Sequence, residues 1–276
     1  MTVLLAVAHG SKDDDAQAVV HALLERAARR RPGLRTAAAF VDNASPSIAT
    51  ALARLADDGV ADVAVVPLLL TAASHSKTDI AASVQAGRVA HPALRLRYGR
   101  PLGPHPVLVD VLAQRLAEAG AGADDPIVLV AGGSLDPDAN AQVAATSRLL
   151  WEGRAFPVVE TAFASTTKPS VTDVLHRLRL LGFARVAVAP YFLGPGHLPR
   201  VVERSAVMDG LEVVVARPLG AAEEIAALLL ERYDEALGND IRMNCDACLY
   251  RLPFPGREAS VGAPQLPHAH PDDVAP

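Results

Sequence analysis

The chain repeats itself, and this repeat restricts its possible folds more than any other feature of the sequence. Several residues of the first half recur in the same order in the second half. Pro67 and Pro190 form one such pair and lie 123 positions apart. The segment RPLG occurs at 100–103 and again at 217–220. A unit of about 115–120 residues has the size of a domain and is much longer than a solenoid repeat. The sequence therefore predicts an internal duplication.

Within each unit, short apolar runs alternate with helical patterns. The run VLLAVA is apolar throughout, as is typical of a buried parallel strand, and the segment after it begins with acidic residues and ends with arginines, which suits a helix dipole. Ser45 is predicted to cap the second helix, with Pro46 as its first residue. The predicted fold is α/β, with two similar lobes that are each a mostly parallel sheet flanked by helices. The predicted strands lie at 3–8, 36–41, 61–70, 94–99, 127–131, 157–163, 185–193 and 212–216, and the predicted helices of the first unit lie at 13–31, 46–58, 78–90 and 106–119.

A segment rich in Gly, Ala and Asp separates the two units at 119–125. We therefore expect an N-terminal lobe at 1–122 and a C-terminal lobe at 123–237. The strand and helix pattern then ends, and the Pro-rich tail at 238–276 is predicted to be a loop or partly disordered. The tail holds the two cysteines of the chain, which are too few for a disulfide framework and are free for metal or redox chemistry in a reducing compartment.

Charge and hydropathy argue against several classes of protein. The formal net charge is -5 at pH 7, whereas general nucleic-acid binding needs a basic face. No apolar stretch approaches the roughly 18 residues that span a bilayer, and no charged and then apolar leader precedes the first strand. We expect a cytoplasmic protein that binds neither nucleic acid nor membrane, with a homo-oligomer left open.

Three side chains follow three strands of the first lobe. His9 follows the first strand, Asp42 the second and His75 the third. Ligands of open parallel sheets bind beyond the carboxyl ends of the strands, so we expect these side chains to converge. Imidazole binds Fe, Co, Ni and Zn ions and accepts protons near neutral pH, and a carboxylate can orient an imidazole or take a proton. The alternative for each residue is a helix cap or a satisfied polar group in a loop.

The second lobe lacks most of this set. Gly132, Ser165 and His197 stand at the matching positions, although the prolines and the RPLG segment are kept. If His9 and Asp42 were structural, both copies should need them. The comparison predicts one working site in the first lobe, with the second lobe as scaffold and lid. We expect His197 to cap the helix that follows it.

Several motifs of the chain occur together in one known family. They are HGS after the first strand, a Phe-x-acid-x-x-x-Pro-Ser segment, VVPLLL followed by a histidine and then DI, and PLGPHP at 101–106. In this order they resemble the sirohydrochlorin chelatases, class II chelatases that include cobaltochelatases and ferrochelatases, in their long tandem form. The resemblance runs from about residue 3 to 220. It implies two chelatase-like lobes with the tetrapyrrole in the cleft between them.

The resemblance also implies roles for individual residues. His9 and His75 would bind the divalent metal and catalyse its insertion, and Asp42 takes the place of an acidic residue that is commonly Glu in the family. The metal is a substrate, either Fe²⁺ for siroheme or Co²⁺ for cobalamin precursors, with Ni²⁺ also open. These donors accept all three ions, and we favour Fe²⁺. A non-catalytic carrier of metal or tetrapyrrole is the alternative function.

The tail contains a second candidate site. MNCDACLYR at 243–251 is similar to a Met-x-Cys-x-x-Cys segment of longer family members that is associated with an iron–sulfur centre, which here would use Cys245 and Cys248. Two thiolates are fewer than the four ligands of common clusters, so a second subunit, or His268 and His270, would have to complete the set. Two unligated thiols are the alternative.

Sirohydrochlorin carries many carboxylates, so basic residues near the histidines should help to bind it. Each such residue alone could equally be a solvated surface charge. His105, which stands between two prolines at a helix start, is expected to be structural. The candidate substrate-binding residues are Ser11, Lys12, Lys77, Arg97, Arg100 and, from the second lobe, Arg200.

Overall fold

Strands and helices alternate along the chain as predicted, in the same order in both halves. The computed structural model describes residues 2–73, 75–239 and 259. The strands are β1 Val3–Ala8, β2 Thr36–Phe40, β3 Asp62–Pro67, β4 Arg95–Tyr98, β5 Ile127–Ala131, β6 Val159–Phe163, β7 Arg185–Pro190 and β8 Glu212–Val215. The helices are α1 Asp14–Arg30, α2 Ile48–Asp57, α3 Ile80–Ala90, α4 Pro106–Glu118, α5 Pro137–Arg154, α6 Val171–Leu180, α7 His197–Ser205 and α8 Glu223–Gly238. A π-helical turn at His75–Asp79 precedes α3.

The start of α2 differs from the prediction for a local reason. The N-cap is Ser47 rather than Ser45, because the Ser47 Oγ accepts a hydrogen bond from Thr50 N at 3.2 Å. Pro46 therefore lies in the preceding loop instead of at the first helical position. The capping chemistry was predicted correctly, but its position was wrong by two residues.

Each half forms one parallel sheet of four strands. The strand orders are β2-β1-β3-β4 and β6-β5-β7-β8. In the first sheet, Leu5 of β1 lies opposite Ala37 of β2 on one side and Val65 of β3 on the other. The connections from β1 to β2 and from β2 to β3 run in opposite directions across the sheet, which places a topological switch point between β1 and β3. The predicted class of two similar α/β lobes is confirmed.

Both faces of each sheet are buried, as expected for parallel sheets. The outer face of the first sheet packs on α2 and α3, and that of the second packs on α6 and α7, with a separate apolar core at each. The inner faces are covered by α1, α4, α5 and α8, whose buried side chains form one continuous core between the sheets. No helix in the described residues is long and apolar enough to cross a bilayer.

The last helix of each half packs against the sheet of the other half. α8, at the end of the second half, contacts β3 and β4 of the first sheet and lies beside α1. α4, at the end of the first half, contacts β7 of the second sheet and lies beside α5. The two sequence repeats therefore share one interior, since each supplies a helix to the other.

The first RPLG segment, at 100–103, binds α8. We call α4 and α8 the exchanged helices, because each packs on the sheet of the other half. Arg100 forms an ion pair with Glu235 of α8 at 2.6 Å. Arg232 of the same helix is fully buried and donates to the carbonyl oxygens of Pro101 and Leu102 at 3.0 and 3.1 Å. Carboxylate and carbonyl oxygens thus compensate the buried guanidinium charge and fix α8 in position.

The second RPLG segment holds α4 in the same way. Arg217 pairs with Glu118 of α4 at 2.8 Å, and Arg115 of α4 donates to the carbonyl oxygen of Leu219 at 3.0 and 2.9 Å. Because both copies keep this network, it serves the fold. The guanidinium of Arg100 contacts α8, and its predicted role in substrate binding stays a prediction.

Candidate functional site

The carboxyl ends of β1 and β3 flank the switch point of the first sheet. His9 follows β1 directly, and His75 begins the π-helical turn after β3. β3 ends at Pro67, earlier than predicted, because the chain turns there toward the second half, where Tyr191 Oη donates to Leu70 O at 3.2 Å. Ligands of open parallel sheets bind in such a crevice.

The imidazole rings of His9 and His75 are in contact. Their centroids are 4.6 Å apart and their planes are at 87°. An imidazole nitrogen binds a metal such as Zn²⁺ at about 2.0–2.1 Å, so two rings at this separation can each direct one nitrogen at a common ion. Both residues reach solvent, and the His75 side chain is 41% exposed. The structure thus brings together the two imidazoles that the sequence placed at one edge.

The carboxylate that contacts this pair is Asp79, a residue outside the predicted site. Its Oδ2 lies 2.6 Å from His75 Nδ1. The hydrogen bond with His75, and then that with Thr78, lowers the pKa of Asp79, and the charges of His75 and His9 act in the same direction. With its proton on Nδ1, His75 donates this hydrogen bond to Asp79. Its Nε2 then keeps a free lone pair that can bind a metal ion or accept a proton. The signal that could have identified Asp79 is its spacing of four from His75, which places both on one face of a helical turn.

Asp42 contacts His9 through its backbone rather than its carboxylate. Its N–H donates to His9 O at 2.9 Å. Its carboxylate accepts hydrogen bonds from the backbone N–H and the side-chain amide of Asn43 at 2.7 and 2.8 Å. The carboxylate that bonds to the His9–His75 pair is that of Asp79, so the supporting role predicted for Asp42 is not seen in its contacts.

A cleft between the two halves opens beside His9. Its volume is about 950 Å³. One wall is formed by segment 8–17 of the first half and the other by segment 192–200 of the second half. Small-molecule sites span roughly 300–1,000 Å³, so this cleft is at the large end of that range.

The charged lining of the cleft is mixed rather than basic. Lys12 and Arg200 line it, but Asp13, Asp14 and Asp15 line it as well. The guanidinium of Arg200 forms an ion pair with Asp13, the N-cap of α1. The predicted basic rim is therefore reduced to Lys12 and to an arginine that is already shared with a carboxylate.

Two further predicted basic contacts join the halves of the molecule instead of lining the cleft. Arg97 donates to the carbonyl oxygen of Leu237 in α8 at 2.9 Å. Lys77 reaches the start of α5, with Nζ at 2.8 Å from Asp136 Oδ2 and 3.0 Å from Asp138 Oδ2. Arg97 also forms an ion pair with Asp62 of its own half at 3.2 Å. The partners in α8 and α5 come from the second half, which local reasoning could not foresee.

The Gly-Ser part of the HGS motif has the same structure in both copies. Gly10 and Gly133 have φ values of 97° and 87°, and a Cβ at either would overlap a backbone oxygen of a neighbouring loop. Ser11 Oγ accepts a hydrogen bond at 3.0 Å from the N–H two residues on, and Ser134 Oγ does the same at 3.0 Å. Ser11, predicted to bind substrate, lines the cleft, but its hydroxyl shapes the turn as it does in the copy without the histidine.

Reciprocal ion pairs show which residues of the two copies correspond. Lys77 of the first half pairs with Asp136, and Arg200 of the second half pairs with Asp13. The members of one pair lie 123 positions from those of the other. The same spacing makes Leu198 the counterpart of His75.

The second copy of the site is therefore apolar. Gly132 stands in place of His9, and a Cβ there would lie 3.2 Å from Leu198 Cδ1 and 3.7 Å from Phe192 Cε1. The apolar side chains of Leu198 and Phe192 thus lie where the second copy would need room for an imidazole. The second copy has no imidazole pair.

His197 does not have its predicted role. It is the first residue of α7, and the N-cap of that helix is Gly196, with no side-chain hydrogen bond. The expectation that His197 caps this helix is wrong, and its side chain lines the cleft. His197 was matched to His75 because both are histidines. The correspondence of the backbones instead matches His75 to Leu198, the next residue.

His105 is structural, as predicted. It is the N-cap of α4, where its Nδ1 accepts a hydrogen bond from Val107 N at 3.2 Å. The residue is 3% exposed. Burial, with smaller contributions from the charges of Arg232 and Arg100, lowers its pKa to about 3. His105 is therefore neutral at physiological pH.

Within the part of the chain that the structure describes, no three His, Cys, Asp or Glu side chains form a group that could hold a metal ion. The candidate site offers an ion two imidazoles, one of them bonded to Asp79. Cys245, Cys248, His268 and His270 lie outside the described residues, so the iron–sulfur centre stays a prediction.

Comparisons with known protein families find the same duplication. The CbiX family model matches the chain twice, at residues 3–119 and 126–236. A sirohydrochlorin cobaltochelatase of Priestia megaterium is 34% identical over 224 residues, which are 77% of this chain and 73% of the relative. A sirohydrochlorin ferrochelatase of the same organism is 28% identical over 234 residues, which are 83% of this chain and 88% of the relative.

Solved structures give the same result. SirB from Bacillus subtilis with Fe³⁺ superposes with a TM-score of 0.75 at 26% identity, covering 87% of this chain and 97% of that one. SirB from Bacillus subtilis subspecies spizizenii in complex with cobalt superposes with a TM-score of 0.72 at 26% identity, with coverage of 87% and 97%. The two matches of the family model fall on the two halves of the molecule, and the chain belongs to the CbiX family.

Proposed function

We propose that the protein is a sirohydrochlorin chelatase that inserts a divalent metal ion into a tetrapyrrole. Its family and its relatives, named sirohydrochlorin cobaltochelatase and ferrochelatase, support this function. The observation that carries the proposal is the contact between His9 and His75 beside a large cleft. The same two residues in the second copy are Gly132 and Leu198, so a single site acts.

A pair of imidazoles suits an ion that must leave the protein again. Two nitrogen ligands leave the remaining coordination positions to water, which the macrocycle can displace. A closed set of four protein ligands is typical of structural sites, where the ion stays bound. The hydrogen bond to Asp79 holds His75 with Nε2 free, which orients this ligand without adding a further bond to the ion.

Insertion also removes two protons from the ring nitrogens of the macrocycle. We assign these protons to Nε2 of His9 and Nε2 of His75. Each nitrogen is vacated when the ion moves to the pyrrole nitrogens and can then accept one proton. Charge at the reacting atoms balances, because two N–H protons and one divalent ion exchange places. Both imidazoles reach solvent, so the protons can pass to water.

The donor set leaves the choice of metal open. Imidazole accepts Fe²⁺, Co²⁺ and Ni²⁺, and the relatives include both a cobaltochelatase and a ferrochelatase. Fe²⁺ stays our prediction. Initial rates with each ion under anaerobic conditions, at equal free metal concentration, would decide between them.

Time-resolved absorbance of sirohydrochlorin tests the function itself. With catalytic amounts of protein and excess metal, we expect the spectrum of the free macrocycle to convert completely to that of the metal complex, faster than without protein. A carrier would shift the spectrum only in proportion to the protein added. A stoichiometric shift without turnover would therefore overturn the proposal in favour of the carrier.

Two finer predictions accompany the proposal. A cytoplasmic location is expected from the sequence, which leaves a homo-oligomer open. An iron–sulfur centre at Cys245 and Cys248 would give anaerobically purified protein a visible absorption band. Replacing both cysteines with serine should then remove that band.

A further inference from the structure

Side chains of the second half hold the segment that carries His75. This His75 segment comprises residues 68–73 and 75–79. Tyr191 Oη donates to Leu70 O at 3.2 Å, and Ala72 N donates to Gln142 Oε1 at 2.8 Å. Further along, Lys77 Nζ pairs with two carboxylates at the start of α5. The second half thus contacts the segment on both sides of the histidine.

The groups that make these contacts are themselves well fixed. Tyr191 directly follows β7 and is 3% exposed. Gln142 lies in α5, and Asp136 is the N-cap of that helix, with its side chain accepting from Asp138 N. Residues 68–73 have no regular secondary structure. Their own half bonds to the two ends of this stretch, through Leu68 N to Val7 O and Ser76 N to Ala73 O, and to Leu69 O through Leu102 N, whereas the bonds to Leu70 O and Ala72 N come from the second half.

The counterpart region of the second half lacks two of these three contacts. At the spacing of 123 positions, Tyr191 corresponds to Leu68 and Gln142 corresponds to Val19, and neither of these side chains can form a hydrogen bond. Only the ion pair exists in both copies, as Lys77 with Asp136 and as Arg200 with Asp13. The additional hydrogen bonds are thus found only on the segment that carries His75.

We infer that the second half of the chain positions His75 against His9, with Asp136, Asp138, Gln142 and Tyr191 acting as positioning residues through Leu70, Ala72 and Lys77. The inference rests on the proposed function, in which both imidazoles bind one ion. Lys77 then acts on protein carboxylates rather than on the substrate. A ligand pair has to be held within about 0.5 Å of its working geometry, and an irregular segment needs outside contacts for that.

The test measures Co²⁺ affinity without tetrapyrrole, from the absorption bands of bound Co²⁺, and the KM for metal during insertion. Gln142→Met, Tyr191→Phe and Lys77→Met should each weaken Co²⁺ binding about threefold to tenfold and raise the KM for metal more than they lower kcat. Lys77→Arg, which keeps the ion pair, should restore parental values. Arg148→Met, which removes an exposed ion pair further along α5, is the control and should change neither quantity.

A second comparison separates positioning from direct substrate contact by Lys77. Asp136→Asn with Asp138→Asn removes the partners of Lys77, while asparagine can still cap α5. Positioning predicts the same loss of Co²⁺ affinity as Lys77→Met and no further loss when all three changes are combined. An unchanged Co²⁺ affinity with a lower KM for sirohydrochlorin would show that Lys77 acts on the substrate and would overturn this part.

The variant His75→Ala separates failure of the inference from failure of the function. If His75→Ala loses Co²⁺ binding while the Gln142, Tyr191 and Lys77 variants bind as the parent does, the inference is wrong and the function stands. If His75→Ala itself binds and inserts metal as the parent does, the proposed site is wrong. Thermal unfolding of each variant checks the fold, and Gln142→Met, at a partly exposed position, keeps the test valid if Tyr191→Phe destabilises the protein.

Discussion

The carboxyl edges of the two sheets share one backbone turn but have opposite chemistry. At the first edge, His9 and His75 are in contact and Asp79 bonds to one of them. At the second edge, Gly132 and Leu198 occupy the positions of the two histidines. The turn that follows the first strand of each sheet is the same, down to the hydrogen bond of its serine.

This comparison separates what the fold needs from what the chemistry needs. Features kept in both copies are the positive-φ glycine, the serine turn, the ion pair across the halves and the arginine network around each RPLG segment. Features kept in one copy are the imidazole pair and its carboxylate. A duplicated chain thus contains its own control for assigning roles, and variants of matched positions can test the assignment.

The largest expected difference between the copies concerns the histidines. We expect His9→Ala and His75→Ala each to slow metal insertion at least about 100-fold, because each removes a metal ligand and a proton acceptor. Initial rates of the absorbance change under anaerobic conditions measure this. His176→Ala is the control, since this histidine is exposed on α6 of the second half. A parental rate in either of the first two variants would move the site elsewhere.

The glycines of the two turns should behave alike. We expect Gly10→Ala and Gly133→Ala each to lower the free energy of unfolding by at least about 2 kcal/mol, because a side chain there combines a positive φ with overlap of a backbone oxygen. Gly120→Ala provides the control, since its φ is 80° but nothing lies within 4 Å of an added Cβ. Urea unfolding measures all three. A large loss at Gly10 alone would mean that this turn is not equivalent in the two copies.

The carboxylates of the first copy should differ from one another. Asp79→Asn should lower the insertion rate about tenfold, since the groups that orient metal-binding histidines contribute at this level. Asp42→Asn should have a smaller effect, because the Asp42 carboxylate bonds to Asn43. The Co²⁺ affinity of both variants provides a second measurement. A larger loss with Asp42→Asn would restore the role that the sequence predicted for it.

The smallest expected difference lies at the start of the exchanged helices. α4 is capped by His105, whose pKa is lowered to about 3, whereas the N-cap of α8 is Ala222, which does not titrate. His105 has a pKa of 6.5 in the unfolded state and of about 3 in the folded state. At a pH between these values, its imidazole is protonated in the unfolded state and neutral in the folded state. Stability is therefore full above pH 6.5 and falls toward acid pH by about 1 kcal/mol per pH unit from this residue.

Urea unfolding at pH 7, 6 and 5 measures that slope. His105→Asn should reduce it, because asparagine can cap the helix without titrating in this range. Glu231, with Oε1 at 3.8 Å from His105 Nε2, is the carboxylate that could offset the effect, so Glu231→Gln is a useful companion variant. An equally steep slope in His105→Asn would assign the acid sensitivity to other groups.

The order of elements and the duplication could be predicted because they depend on local periodicity and on matching residues. The meeting of His9 and His75 followed from the topology, since residues after neighbouring parallel strands share one edge. Asp79 was missed because the helix was predicted to start at 78. The π-helical turn begins earlier and places His75 and Asp79 on the same turn.

Long-range contacts could not be predicted in the same way. Lys77, Arg97 and Arg100 were assigned to the substrate, whereas the structure gives them protein partners in α5, in β3 and α8, and in α8 respectively. The counterpart of His75 was misassigned to His197 because residues were matched by type. The reciprocal ion pairs showed that the spacing of 123 positions continues past β3 and β7, which makes Leu198 the counterpart.

The exchange of α4 and α8 has a consequence for biosynthesis. The inner face of the first sheet is covered by α8, so β3 and β4 leave the ribosome long before the helix that completes their packing. Contacts between segments so distant in sequence delay folding, and an uncovered apolar sheet is prone to aggregate. We therefore expect the chain to be most prone to aggregation after β3 and β4 have emerged and before α8 has.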